Sequence, residues 1–181
     1  SFILPQKPAN LLKNILPKDD SPVTLSFDKK NAVVEFNKYK LVCRLIEGAY
    51  PNYQAVIPTD APRKLTIDRI DLCNCLRRVS VFSNQASNLI KLSITANQLT
   101  VSAQDIDFSI SAHERVKCQY EGEDMEIGFK STFLIEILSN LSCTDVVVNL
   151  SDSTKAGTFV PLDQTSVDED VLMLLMPMMI S

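Results

Sequence analysis

Apolar residues along this chain keep a helical period in three short stretches and a strand-like pattern between them. In "PANLLKNIL", Leu11, Leu12, Ile15 and Leu16 fall on one side of a helix that Pro8 opens and Pro17 ends. "DRIDLCNCLRRVSVF" places Leu72, Leu76 and Val79 on one face behind Asp68 as N-cap. "STFLIEILSNL" turns Phe133, Leu134, Ile137, Leu138 and Leu141 inward behind Ser131 as N-cap. Strand-like runs follow each helix: "PVTLSF", "AVVEF" and "KLVCRLI"; then "LIKLSI", "QLTVSA" and "DFSIS"; then "DVVVNL", "GTFVP" and "DVLMLLM".

The order helix, strand, strand, strand therefore occurs three times, with helix starts about 61 residues apart, a spacing that suits repeated supersecondary units. "PQKPANLLKNILPKDDSPVTLSF" and "GFKSTFLIEILSNLSCTDVVVNL" share a lysine ahead of the helix, an apolar helix face and a polar turn into a β-branched strand. The first unit stands alone, whereas the acidic turn "YEGED" joins the second to the third. This pattern predicts an α+β chain made of half a domain followed by a complete one.

The last stretch, Val171 to Ile180, has no charge and contains Met173, Met176, Met178 and Met179. A membrane anchor needs about 18 to 20 apolar residues, and this run is shorter and interrupted by Pro177. It reads either as a buried last strand or as a strand that also walls a groove for apolar side chains of a partner. The buried reading is preferred for Leu172 and Leu175.

Composition sets the class. A chain of 181 residues with 45% hydrophobic and 22% charged residues can bury a core of its own. The five cysteines are odd in number, lack the spacing of a disulfide framework or zinc ribbon, and follow no signal peptide; they read as reduced thiols in a cytoplasmic protein. A net charge of −4 argues against a protein that grips DNA over its whole surface, and leaves room for one basic face.

"LIEGAYPNYQAVIP", "LRRVSVFSN", "YEGEDMEIGFKSTFLIEIL" and the terminal "MPMM" together resemble the bacterial DNA sliding clamp, the beta subunit of DNA polymerase III, in register from about Ile3 to Ile180. The resemblance implies the second half of the middle clamp domain over residues 1–57 and the C-terminal domain over 58–181, without the N-terminal domain or the first half of the middle one. It implies the DNA-clamp fold, with helices lining a hole and antiparallel sheets outside. The implied function is mechanical. Two full-length chains close head to tail around duplex DNA and tether the polymerase catalytic subunit, the clamp loader and other proteins that carry an apolar clamp-binding motif. No cofactor or metal is implied, and the 181-residue chain is expected to be a monomer.

The same resemblance implies three sets of residues. Phosphate-facing candidates on or just before the helices are Lys7, Lys13, Arg77, Arg78 and Lys130, while Gln6 stands where a basic residue is frequent. The peptide cleft takes Pro51 and Val56 of the linker, Thr154 and Ala156 after "LSD", and Leu174, Met176, Pro177, Met178 and Met179 of the tail, with Met179 where the family often has arginine. Methionine suits such a cleft because its flexible, polarizable side chain repacks against different guests. The ring interface takes the apolar pair Val81 and Phe82, with Asp105 and Asp107 as charges nearby.

Catalysis is not expected. His113 and Cys118 could form a Cys/His pair, yet they lie in a strand-like run with no nucleophile turn and no third orienting group. Cys73 and Cys75 sit two apart on a helix and do not face a common metal ion. "DSTKAG" has one glycine and lies between strands, so it is no phosphate loop. The alternative is a β-rich interaction scaffold with no DNA role, which a stripe of positive potential on the helical face would separate from a clamp.

Overall fold

A computed structural model describes residues 2–163 and 170–180. The chain divides into two compact units, Ser1–Asn52 and Tyr53–Ser181.

In the first unit, helix α1 (Gln6–Ile15) precedes an antiparallel meander of β1 (Thr24–Phe27), β2 (Asn31–Phe36) and β3 (Tyr39–Arg44). The helix starts two residues before Pro8, which sits inside the first turn where its missing N–H costs nothing; Pro5 occupies the N-cap position. The buried residues are few: Ala32, Val34 and Phe36 of β2, and Leu45. None of the α1 side chains is buried, and all of β1 is exposed, with Phe27 at 57%. Phe2 stacks on Phe27 with ring centroids 4.7 Å apart. Among the described residues of this unit, the helix and β1 are thus left without buried side chains.

The second unit carries two copies of one motif. The first copy is β4 (Arg63–Asp68), α2 (Arg69–Val79), β5 (Leu89–Thr95), β6 (Gln98–Asp105), β7 (Ile110–Lys117) and the short β8 (Gln119–Glu121). The second copy is β9 (Met125–Lys130), α3 (Ser131–Asn140), β10 (Asp145–Leu150), β11 (Gly157–Pro161) and β12 (Met173–Leu175). They form a five-stranded sheet, β12-β11-β10-β4-β8, and a four-stranded sheet, β7-β6-β5-β9. The strand ahead of each helix thus pairs with the meander of the other copy. Asp68 lies opposite Asp145, and Lys130 opposite Leu89. The hydrogen bonds repeat as well: the Arg69 amide donates to Thr144 at 2.9 Å, and the Ser131 amide donates to Asn88 at 2.8 Å. These equivalences are the pseudo-symmetry expected of the DNA-clamp fold.

β5 and β6 alternate buried and half-exposed residues and so face the core on one side, whereas Val146, Val147 and Val148 of β10 are buried consecutively. α2 and α3 pack against the sheets through Leu72, Leu76, Leu134 and Leu138, each at most 1% exposed. The Asp68 side chain accepts from the Asp71 amide at 2.7 Å, the N-cap anticipated for α2.

Four sequence expectations change. Ser131 is the first residue of α3 rather than its N-cap, because the backbone is still extended at Lys130 (φ −74°, ψ 116°), which takes the cap position. Phe133 is 49% exposed, since the helix turns its Leu134 and Leu138 row to the core and leaves Phe133 at the margin. "DFSIS" does not begin a strand at Asp107; residues 107–109 turn, with Ser109 at φ 53°, and β7 starts at Ile110. Leu172 precedes β12 and is 44% exposed, whereas Leu175 is buried. The strands β4, β8 and β9 were not among those expected.

Candidate functional site

The final strand and its extension are positioned by three attachments. β12 pairs with β11, setting Gly157 opposite Leu175 and Thr158 opposite Leu174. Beyond it, the Met178 amide donates to the Gly128 carbonyl of β9 at 2.8 Å. Between these points Met176 stays 57% exposed and Pro177 half-buried; after them Met179 is 94% exposed. An apolar segment fixed at both ends and open in the middle is a preformed surface.

The loop next to it is built by Asp152. One carboxylate oxygen accepts from the amides of Thr154 at 2.8 Å and Lys155 at 3.0 Å and from the Thr154 hydroxyl at 2.6 Å. The Thr154 hydroxyl and amide hold the Asp152 carboxyl at a pKa of about 2. Arg63 donates to the Ser151 carbonyl and pairs with Glu123 at 3.4 Å, which anchors the start of the loop. Thr154 is exposed, while Ala156 is 4% exposed and lies just ahead of the Gly157–Leu175 pair. Val56 is 56% exposed in a short turn over Tyr53–Val56. Pro51 belongs to the first unit and is exposed there.

The other side of β12 faces α3 across a cavity of about 700 Å³, where Leu174 and Met173 meet Phe133, Ile137 and Glu136. Ile137 packs against the core as its periodicity predicts, whereas Phe133, predicted inward too, lies on the surface. The missed signal is the Lys130–Phe133 spacing: the Lys130 ammonium sits 5.2 Å from the centre of the Phe133 ring, so both side chains occupy the surface beside this cavity.

The basic candidates differ in what they touch. Lys7 and Lys13 are exposed on α1. Arg78 is held by both Glu114 carboxylate oxygens, with Nε 3.0 Å from Oε2, and the same bond lowers the Glu114 pKa. Beneath this pair the Cys75 thiol is pushed up to about 12, first by burial and then by Glu114. Arg77 meets the Ser139 hydroxyl at 3.4 Å. Arg69, which sequence reasoning passed over, donates to the carbonyls of Cys143 at 2.7 Å and Leu138 at 3.0 Å, satisfying the C-terminal end of α3.

At the end of α2 the chain makes one further tight turn over Ser80–Phe82, leaving Val81 74% and Phe82 37% exposed. The Asn84 amide reaches Asp107 at 3.3 Å and ties this turn to the β6–β7 hairpin, whose tip shows Ile106 at 74% and Phe108 at 76%. Asp107 is exposed, but Asp105 is 3% exposed and accepts from the Asp107 amide at 3.1 Å, so its carboxylate shapes the hairpin rather than the surface. The patch is larger and more apolar than the pair read from sequence.

His113 is exposed on β7, and Cys118, just beyond the end of that strand, packs against the core, with burial raising its thiol pKa. They do not meet. All five cysteines are free, and Cys73 and Cys75 are both buried. Among the described residues no group of three or more His, Cys, Asp or Glu could hold a metal, and no helix is long and apolar enough to cross a membrane.

Comparison with known proteins gives these features a common frame. Residues 54–179 match the family described as DNA polymerase III beta subunit, C-terminal domain. The beta sliding clamp of Haemophilus influenzae is 31% identical over 153 residues, covering 84% of this chain and 42% of that protein. That of Treponema pallidum is 32% identical over 180 residues, covering 97% and 47%. The Bartonella birtlesii sliding clamp, solved with griselimycin bound, is 29% identical with a TM-score of 0.91, covering 99% of this chain and 47% of that one. The chain thus spans less than half the length of these relatives. With the family match running through both copies of the repeated motif and the apolar tail, the chain belongs to the family of bacterial beta sliding clamps, the beta subunits of DNA polymerase III.

Proposed function

We propose that this chain is the second half of the middle domain and the C-terminal domain of a replication processivity clamp, a ring that encircles duplex DNA and tethers its polymerase. The observation that carries the reading is the tail, an apolar segment held rigidly by Gly157 and Gly128 yet open at Met176 and Met179, in a chain whose fold is that of a clamp. In this role no bond is made or broken. Duplex DNA is held topologically while contacts to its phosphates stay weak and blind to sequence.

The tail, with Leu174, Met176, Pro177 and Met178, receives the apolar side chains of a short peptide from the polymerase catalytic subunit, the clamp loader or another client. Val56, Thr154 and Ala156 border it. The patch of Val81, Phe82, Ile106 and Phe108 closes the ring against a second full-length chain, with Asp107 at its rim. Lys7, Lys13 and Arg77 face the DNA. The test is retention: full-length protein loaded on circular duplex should stay bound at salt concentrations that strip it from linear duplex of the same sequence. Equal loss from both forms rejects encirclement.

A further inference from the structure

The four-stranded sheet gives one face to the core and turns the other away from α2. On that second face Lys91 of β5 stands opposite Ser102 of β6, and Ser102 opposite His113 of β7. All three are outward members of alternating strands: Leu92 and Val101 beside them are buried, and Glu114 beside His113 reaches inward to Arg78. The row floors a hollow of about 320 Å³, and the next pair, Gln104 opposite Ser111, borders it. Leu89 and Ile180 wall the side toward β9, where a Cβ on Gly128 would meet the Ile180 side chain at 3.1 Å. Among the described residues no carboxylate lines this hollow.

Its cation is placed in advance. One oxygen of Glu126 accepts from the Lys91 ammonium at 3.1 Å and from the Ser93 hydroxyl at 2.7 Å, and Glu126 itself stays outside the hollow. Two of the three ammonium N–H donors are left, beside the Ser102 hydroxyl and the exposed His113 ring. A phosphate would bring up to two charges to one cation already engaged by Glu126, with no arginine fork and no helix N-terminus to receive its oxygens. A carboxylate on a short aliphatic stem matches the hollow better, with one charge for Lys91 and methylenes for Leu89 and Ile180.

Position selects the source of that carboxylate. The Met178 amide is bound to Gly128, Gly128 pairs with Lys91, and Lys91 pairs with Ser102, so the tail, β9, β5 and β6 lie side by side. At about 4.8 Å per strand the Lys91–Ser102 pair is roughly 10–14 Å from the tail, a span that an extended chain crosses in about three to four residues. We infer that the hollow holds an aspartate or glutamate of the same client segment whose apolar side chains dock on the tail, about three to four residues along from them. The inference rests on the docking proposed above and adds to it a preference, through Lys91 and Ser102, for apolar segments with an acidic flank.

The experiment is a calorimetric titration of full-length protein at low salt with the clamp-binding segment of the polymerase catalytic subunit. The segment is synthesised in two forms, with two glutamates or two glutamines placed three and four residues to either side of its apolar residues. The parent protein should bind the glutamate form about three- to fivefold more tightly. Lys91→Gln should remove that preference and keep the affinity for the glutamine form; Ser102→Leu, which fills the hollow without changing charge, should do the same. Arg115→Gln takes a charge from the same sheet face outside the hollow, opposite Thr100, and should keep the preference. A parent protein with no preference, or a preference that survives in Lys91→Gln and Ser102→Leu, overturns the inference. An equal loss in Arg115→Gln assigns the effect to diffuse charge and overturns it as well. Competition by oligothymidylate that is lost in Lys91→Gln would make this a nucleic-acid site and overturn the peptide assignment. Failure of both forms to bind the parent protein rejects the docking on the tail, and the inference with it.

Discussion

The Met178 amide and the Gly128 carbonyl meet at 2.8 Å, and the bridge they form recurs in every unit of the chain. Three positions ahead of each helix start, Ile3 bridges Ile46, Thr66 pairs with Gln119, and Gly128 bridges Met178, all antiparallel. The methionine-rich tail is therefore the third instance of the return segment that closes each motif. Its composition departs from the other two, but its attachment does not.

Gly128 tests that attachment. A Cβ at this position would lie 2.7 Å from the Met178 carbonyl oxygen and 3.0 Å from Leu89. Gly128→Ala should therefore lift the tail, cost about 1–3 kcal/mol, and raise the hydrogen-exchange rate at the Met178 amide while leaving the Leu92 and Val101 amides protected. A variant with parent-like stability and exchange at Met178 would show that the bridge bears no strain.

Met176 tests the groove. The side chain is 57% exposed, so Met176→Glu should change stability by no more than about 0.5 kcal/mol. In full-length protein the same change should weaken an apolar clamp-binding peptide at least about tenfold, because a central apolar anchor is replaced by a charge that binding must desolvate. The charged pair at 176 and 178 should abolish binding. Calorimetric titration decides it, and undiminished affinity in the double variant places the peptide elsewhere.

Val81 and Phe82 test the ring. Full-length protein should be a stable head-to-tail dimer, and Phe82→Asp should dissociate it because a carboxylate buried without a partner costs several kcal/mol, about 2–5. The 181-residue chain should scatter light as a monomer. A dimer of the short chain that persists on dilution, or an undisturbed full-length Phe82→Asp dimer, puts the interface at another surface.

Asp152 tests the loop through pH. Its folded pKa is depressed, so the stability it adds is present above the unfolded value of about 4 and is lost as pH falls toward about 2. The loop should thus be unchanged between pH 8 and 5. Carbon-detected NMR of the Asp152 carboxyl should give a midpoint near the depressed value, with the Thr154 and Lys155 amides shifting in step. A midpoint near 4 would mean that those hydrogen bonds do not persist in solution.

What could be read from the sequence was local. Leu72, Leu76 and Val79 repeat at helical spacing behind a capping aspartate, and β5 and β6 alternate cleanly, so each signal lies within one element. The composition of the tail excluded a membrane anchor and left a buried last strand and a partner groove both open; the choice of a groove came from the resemblance to the clamp family. What escaped depends on distant partners. "RKLTID" and "MEIGFK" become strands by pairing across the two copies, the Arg78–Glu114 pair joins residues 36 apart, and Phe133 is exposed because its neighbours on α3 satisfy the core first. Asp105 looked like a surface charge until the hairpin folded its carboxylate onto the Asp107 amide.

The exchange of β4 and β9 between the two sheets bears on how the second unit is made. Leu65 must find Val148, and Ile127 must find Leu92, before either sheet is complete, and the first of these pairings closes a loop of more than eighty residues. Neither copy can finish its own sheet, so nucleation in one creates an open edge that only the other can fill. The unit should accordingly fold slowly and all at once, because neither sheet is complete until strands distant in sequence have paired.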